Sequence, residues 1–227
     1  MNSETTSANP MPESDESHLD GSSTDASNTD GAKEVPARKR PKPGERRLQI
    51  LQTLASMLEQ PGAERITTAA LSAKLGVSEA ALYRHFASKA QMFEGLIDFV
   101  EQSVFAFVRQ IADRGPAGPE QVARTVTLIL QFAEKNPGMA RVMTGDALVF
   151  ENERLQERMN LLFDKLESAF KQSLREAGSQ SDTPTVEANV SASLLVAFIM
   201  GRLQRFARSG FKRLPSENLQ ASLLRIL

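Results

Sequence analysis

Residues 65–89 read RITTAALSAKLGVSEAALYRHFASK, two short segments of helical periodicity that meet at Gly76. Thr67 stands where it can cap a short helix, and Leu71 and Leu75, four residues apart, give that helix one inward face. Gly76 permits a tight turn because glycine takes positive φ at little steric cost. Val77 is placed to plug the corner. Ser78 then caps a second helix, and Glu79 in its first turn complements the positive end of the helix dipole. Leu82 and Phe86 point back toward the core. Two short helices joined by a glycine turn, the second one capped, describe a helix-turn-helix, whose second helix enters a DNA major groove.

The side chains left facing outward suit a groove. Ser78, Glu79, Ala80 and Ala81 are small or polar enough to approach base edges, and an alanine methyl can meet a thymine methyl. Tyr83 offers a hydroxyl, His85 a ring nitrogen and Lys89 an ammonium. Together with Arg46 and the hydroxyls of Thr67 and Thr68, they are expected on phosphate oxygens. The competing reading is a plain three-helix core with a tight turn, in which Tyr83 and His85 serve packing. A basic run at the entrance to the first helix (Arg38, Lys39, Arg40, Lys42, Arg46 and Arg47) favours nucleic acid.

The formal net charge of −1 conceals this polarity. Residues 1–32 hold seven acids (Glu4, Glu13, Asp15, Glu16, Asp20, Asp25, Asp30) and no Lys or Arg, so −1 less −7 leaves +6 on the remainder. With almost nothing apolar to bury, residues 1–32 are expected to be disordered. They serve as a solubilising tail or as an acidic arm that competes with DNA for the basic patch beside it. Residues 33–44, KEVPARKRPKPG, carry prolines at 36, 41 and 43 and predict a flexible basic arm, lying on phosphates, in a minor groove or simply in solvent.

From Glu45 onward the apolar spacing is three and four throughout, which predicts an all-α chain. A first helix over 45–60 places Leu48, Leu51, Leu54, Ala55 and Leu58 on one stripe and stops at Pro61-Gly62. After the helices at 68–75 and 79–86 come longer ones over 89–113 and 119–135, a short one to 147, and long ones over 151–177 and 184–208. The helix 184–208, opened by an Asp182-Thr183-Pro184 cap, is apolar nearly all round, and a last helix covers 215–226. Leu155, Met159, Leu162, Leu166, Phe170 and Leu174 keep no sustained heptad, so the helix 151–177 packs inside the body rather than forming a coiled coil. Three regions result: a tail and arm over 1–44, a helix-turn-helix head over 45–90, and a helical body over 91–227.

The 227 residues include no Cys and two His, His18 and His85, which excludes thiolate chemistry and makes a His-rich metal site improbable. No glycine-rich phosphate loop and no Ser–His pairing suggest catalysis, and no cofactor is implied. The N-terminus has no apolar signal core, and no stretch reaches about 18 uninterrupted apolar residues, so a cytoplasmic protein is expected.

The run LGVSEAALYRHFASK resembles the helix-turn-helix of the TetR family of regulators. That resemblance implies a small reading head, phosphate contacts from Tyr83 and Lys89, and a body that dimerises through its last two helices, matched here by 186–208 and 215–226. RITTAALSAKLGVSEAALYRHFASKAQMFEGLIDFVE and NPGMARVMTGDALVFENERLQERMNLLF together resemble the nucleoid occlusion branch of that family. Membership there implies a homodimer on palindromic chromosomal sites that binds the tubulin-like division protein FtsZ and disrupts its polymers. It also implies a partner groove between the fourth and fifth helices, with Phe99, Leu128, Lys135 and Asn136 as its residues. Phe107 and Gln131 depart from that pattern, where a basic and a small side chain are expected. The alternatives are a TetR-type repressor released by a small ligand and a helical adaptor with a relic helix-turn-helix. The body has no Trp, Cys or Tyr, and its inward positions are mostly Leu, Val, Ala, Met and Phe, which suits a filled core better than a tailored cavity and favours the first reading over the second.

Overall fold

The first helix, α1 (Glu45–Leu58), carries two apolar faces rather than one, and this sets how the head meets the body. The computed structural model describes residues 44–60, 65–177 and 184–227; the acidic segment 1–32, the basic residues 38–42, Pro61-Gly62 and the Asp182-Thr183 cap lie outside the described residues. Ile50, Leu54 and Leu58 form the buried face of α1. Of the stripe expected from the sequence, Leu48 is 57% exposed, and Leu51 and Ala55 are half-buried. The two faces lie about 100° apart on the helix, and the second is turned toward other elements of the body.

α2 (Thr68–Leu75) and α3 (Glu79–Tyr83) follow, and Leu71, Leu82 and Phe86 join Ile50 and Leu54 in the head core. α3 stops at Tyr83, three residues short of the expected 86. The chain has to straighten there, because Ser88 takes an extended backbone to cap α4 (Lys89–Ala112), its Oγ accepting from the Gln91 amide at 3.2 Å. Phe86 is nevertheless buried, held by turns from Leu82 rather than by helix.

α4 runs from the head through the body. Met92, Phe93, Leu96 and Ile97 serve its lower part, and Val100, Val104 and Ile111 its upper part. α5 (Pro119–Lys135) returns toward the head, with proline in the first turn, and α6 (Pro137–Met143) lies against α1. After a 3₁₀ turn (Asp146–Leu148), α7 (Glu153–Ala177) runs alongside α4. Arg158 on α7 binds Asp98 at 2.8 Å and Glu101 at 2.5 Å, and Arg154 binds Glu94, so the two helices are parallel. Burial alone would lower the pKa of Arg158, but the hydrogen bonds and negative charge of Asp98 and Glu101 outweigh it and raise it.

α8 (Pro184–Arg208) packs antiparallel on α7, and α9 (Leu219–Ile226) begins four residues later than expected, after turns that close on Ser216. The Ser216 amide donates to Glu134 on α5 at 2.8 Å. By length and mean hydropathy, 1.4 over Val186–Arg208, α8 would pass for a membrane span. Its apolar residues divide instead into a buried face (Ala192, Leu195, Ile199, Leu203, Phe206) and an exposed stripe (Val186, Val190, Leu194, Met200).

Two substitutions separate packing from backbone strain in the head. Leu82→Ala is expected to cost about 2–5 kcal/mol by opening a cavity. Gly76→Ala, which meets nothing within 4 Å, should cost only roughly 1 kcal/mol for holding Ala at positive φ. Urea unfolding followed by far-UV circular dichroism measures both, and equal costs would contradict this account of the turn.

Candidate nucleic-acid interface

The reading head is assembled by caps. Thr67 Oγ1 accepts from the Ala70 amide at 3.1 Å and starts α2. At the other end Gly76 takes φ 65 and ψ 38; its amide donates to Ala73 O at 3.1 Å and that of Val77 to Ser72 O at 3.0 Å. This is the Schellman closure, which satisfies the last carbonyls of α2 while reversing the chain. Val77 is half-buried in the corner, and Ser78 Oγ accepts from the Ala81 amide at 3.3 Å to start α3. Only Leu82 of α3 is buried; Glu79, Ala80 and Tyr83 stay outside, Tyr83 at 45% exposure. A helix with its small residues in its first exposed turn can press its N-terminal end close to a surface.

The expected contact residues fall into two sets. Ser78, Ala80 and Tyr83 belong to the open face, and His85 is half-buried below it. The other five, Thr67 as the α2 cap among them, already have partners within the chain. Thr68 Oγ1 donates to Glu79 Oε2 at 2.6 Å, so this pair first of all ties α2 to α3. Lys89 is paired with the largely buried Glu151, which precedes α7, and its ammonium also lies 5.7 Å from the Phe93 ring. Arg46 donates to Gln49 at 2.7 Å.

Sequence reasoning misses one organising residue and several outward cations. Arg47 donates to the backbone carbonyl of His85 at 2.5 Å and stacks over Phe86 at 4.1 Å, so α1 clamps the exit of α3. In the sequence it is legible only as one of a run of basic residues. Arg65, Lys74 and Arg84 are exposed and hold no ion pair among the described residues.

The residues expected to hold a protein partner separate as well. Phe99, 48% exposed, and Asn136 line a recess of about 350 Å³ together with Leu48, Leu51 and Ala55 of α1 and Met139 of α6. Leu128 lines a second recess, of about 420 Å³, with Ile111, Arg114 and Arg124 nearer the far end of the body. Lys135 is exposed and lines neither. Between the two recesses Phe132 packs against both Phe99, at 5.8 Å, and Phe107, at 6.0 Å. Phe107 thus fills the seam between α4 and α5 at the place expected to hold a basic side chain. The contribution of α1 to the first recess is invisible in the sequence, because Leu48 and Leu51 read as core.

Comparison with known proteins bears on both surfaces. The model for bacterial regulatory proteins of the tetR family matches residues 50–96, and that for the SlmA-like tetracyclin repressor-like C-terminal domain matches 120–225. Proteins named nucleoid occlusion factor SlmA align over most of the chain. That of Idiomarina loihiensis is 51% identical over 177 residues, covering 78% of this chain and 90% of the relative. That of Vibrio cholerae is 49% identical over 175 residues, covering 76% and 89%. Among solved structures, a TetR-like transcriptional regulator from Rhodococcus sp. superposes with a TM-score of 0.63 at 19% identity, covering 79% of this chain and 94% of that one. FadR from Bacillus subtilis in complex with stearoyl-CoA gives 0.61 at 13%, covering 79% and 96%. At that identity these two establish the fold alone.

The Lys89–Glu151 pair makes a signed prediction. Phosphate must displace the Glu151 carboxylate to reach Lys89, so Glu151→Gln is expected to tighten DNA binding several-fold. Lys89→Ala and Tyr83→Ala should weaken it across all sequences, and the salt slope should become shallower by about one unit for each phosphate left unneutralised. Fluorescence anisotropy over a salt series measures all three; weaker binding by Glu151→Gln would mean the carboxylate positions Lys89 rather than competing for it.

Proposed function

This chain belongs to the TetR regulators and, within them, to the nucleoid occlusion factors named SlmA, and on that premise we propose that it binds palindromic chromosomal DNA as a homodimer, binds FtsZ and disrupts its polymers over the nucleoid. The supporting observation is the pairing, in one chain, of an outward α3 start with an apolar recess shared by head and body. The exposed α8 stripe of Val186, Val190, Leu194 and Met200 suits the same stripe of a second copy. Two heads related by that two-fold axis call for half-sites about one helical turn apart. Ser78, Ala80 and Tyr83 approach the groove and backbone directly. Thr67, Thr68 and Glu79 line the same face and, with Arg47, also hold the head in shape; Arg46 and His85 reach phosphates, and Lys89 joins them once Glu151 releases it.

The recess beside α1 receives the partner segment. Its walls are apolar (Leu48, Leu51, Leu96, Phe99, Met139), with Gln52, Ser56, Asn136 and the Glu59 carboxylate as polar points. Such a surface fits a short, mainly hydrophobic segment that becomes ordered on binding. Because one wall is α1, the occupant touches head and body together. DNA and partner affinities are then linked, and each raises the other by the same factor. The protein acts by binding, as a cytoplasmic, nucleoid-associated regulator, and not as an enzyme.

Co-sedimentation of FtsZ polymers, with and without a palindrome selected from a random DNA pool, tests the reading. Wild type with DNA is expected to lower polymer yield. Phe99→Ala should bind DNA normally and lose most of that effect, whereas Ala80→Glu should lose DNA binding through steric and charge conflict in the groove. Polymer yield unaffected by wild type plus DNA would defeat the proposal.

A further inference from the structure

We propose that Gly138 of α6 is the positioning residue that sets the angle of the reading head on the body, and through it the half-site spacing the dimer accepts. The inference rests on the DNA-reading assignment of α3 and concerns what holds that helix in place. α1 is the head element that seats on the body, and it has two glycine seats, which differ in kind. At Gly95 on α4 an added Cβ would come 3.0 Å from both terminal methyls of Leu51, and a half-buried leucine side chain can turn aside. At Gly138 an added Cβ would overlap the carbonyl oxygen of Ala55 and lie 3.0 Å from its carbonyl carbon. Ala55 stands in the last turn of α1, and its carbonyl, being backbone, cannot turn aside as a side chain does without moving the end of the helix. The seat at Gly138 is therefore rigid, a backbone-to-backbone contact that any side chain would push apart.

Both ends of the contact lead to function. Ala55 lies one turn from Leu51 and two turns from Arg47, whose guanidinium holds the exit of α3 through the His85 carbonyl. Ala55, Met139 and Asn136 line the recess that opens beside the contact. Restoring an ordinary carbon-to-oxygen approach at Gly138 requires α1 and α6 to part by about 1 Å. Binding constellations tolerate displacements of only about 0.5 Å. One alanine methyl at this position is thus enough to tilt the head and misplace α3.

The test compares Gly138→Ala with Gly95→Ala and with Gly115→Ala, a position where nothing lies within 4 Å. The chain has no native cysteine, so a spin label on Lys74→Cys reports the head and one on Asp164→Cys the body. Both sites are exposed. Head-to-head and body-to-body distances across the dimer are read by double electron–electron resonance in the full chain. The same glycine variants without labels, Lys74 intact, are titrated onto selected palindromes with the spacer native, or one base pair longer or shorter. One base pair moves a half-site by about 3.4 Å and turns it by about 35°. The expected result is that Gly138→Ala shifts the head distance and leaves the body distance unchanged. Its preference for the native spacer should fall at least about fivefold, while the other two variants match wild type. An unshifted head distance with intact spacer preference overturns the proposal. So does a shift as large in Gly95→Ala, or a loss of the body distance in Gly138→Ala, which would make the glycine a requirement of the fold. If wild type bound none of the palindromes, the DNA-reading assignment would fall, and the label distances would still decide the role of Gly138.

Discussion

Everything in this molecule turns on the seating of α1 between the reading helix and the body. One face of α1 closes the head core through Ile50, Leu54 and Leu58. The second face presents Leu48, Leu51 and Ala55 to α4 and α6, where backbone meets backbone at Gly138. At its N-terminal end Arg47 ties down the chain as it leaves α3. A helix fixed along three lines cannot shift without moving the DNA-reading surface and the apolar recess together. That is the physical basis for expecting the two binding events to influence each other.

Charge is arranged so that the head is held in shape before DNA arrives. Thr68 with Glu79, Lys89 with Glu151, and Arg154 and Arg158 with the α4 carboxylates are all made within the chain. The pairs between α4 and α7 run along helices that remain packed, and they fix the two helices in parallel. The pair at Lys89 differs, because its cation stands at the start of α4 next to the reading helix. On the proposed reading, a phosphate and the Glu151 carboxylate contend for the same ammonium there, with an outcome that depends on salt. The opposite polarity, seven acids in residues 1–32 against a basic remainder, gives the full chain a second source of negative charge.

The candidate site is legible in the sequence to different depths. Thr67, Gly76, Ser78 and Leu82 act as their positions imply, because caps, positive φ and a four-residue spacing are local and leave local marks. Phe99, Leu128, Lys135 and Asn136 do not form one recess: Phe99 and Asn136 share a recess with α1, and Leu128 lines another. Helical spacing places a residue on a face of its own helix but does not say which neighbour stands opposite. Phe107, a departure from the family pattern, is an aromatic filler against Phe132. The early end of α3 has a similar origin, since the demand comes from the cap of the following helix.

Sequence alone determined the all-helical class, the helix-turn-helix and its turn, the order of the long helices, and the polarity of charge along the chain. Each of these follows from interactions among residues a few positions apart, and short-range periodicity records them. Only the tertiary structure decided that α1 has two packed faces, that Lys89 is engaged by Glu151 62 residues away, and that Gly138 meets the backbone of Ala55. Those contacts join segments distant in the chain, and close packing between them depends on how whole helices are placed, which no local spacing encodes.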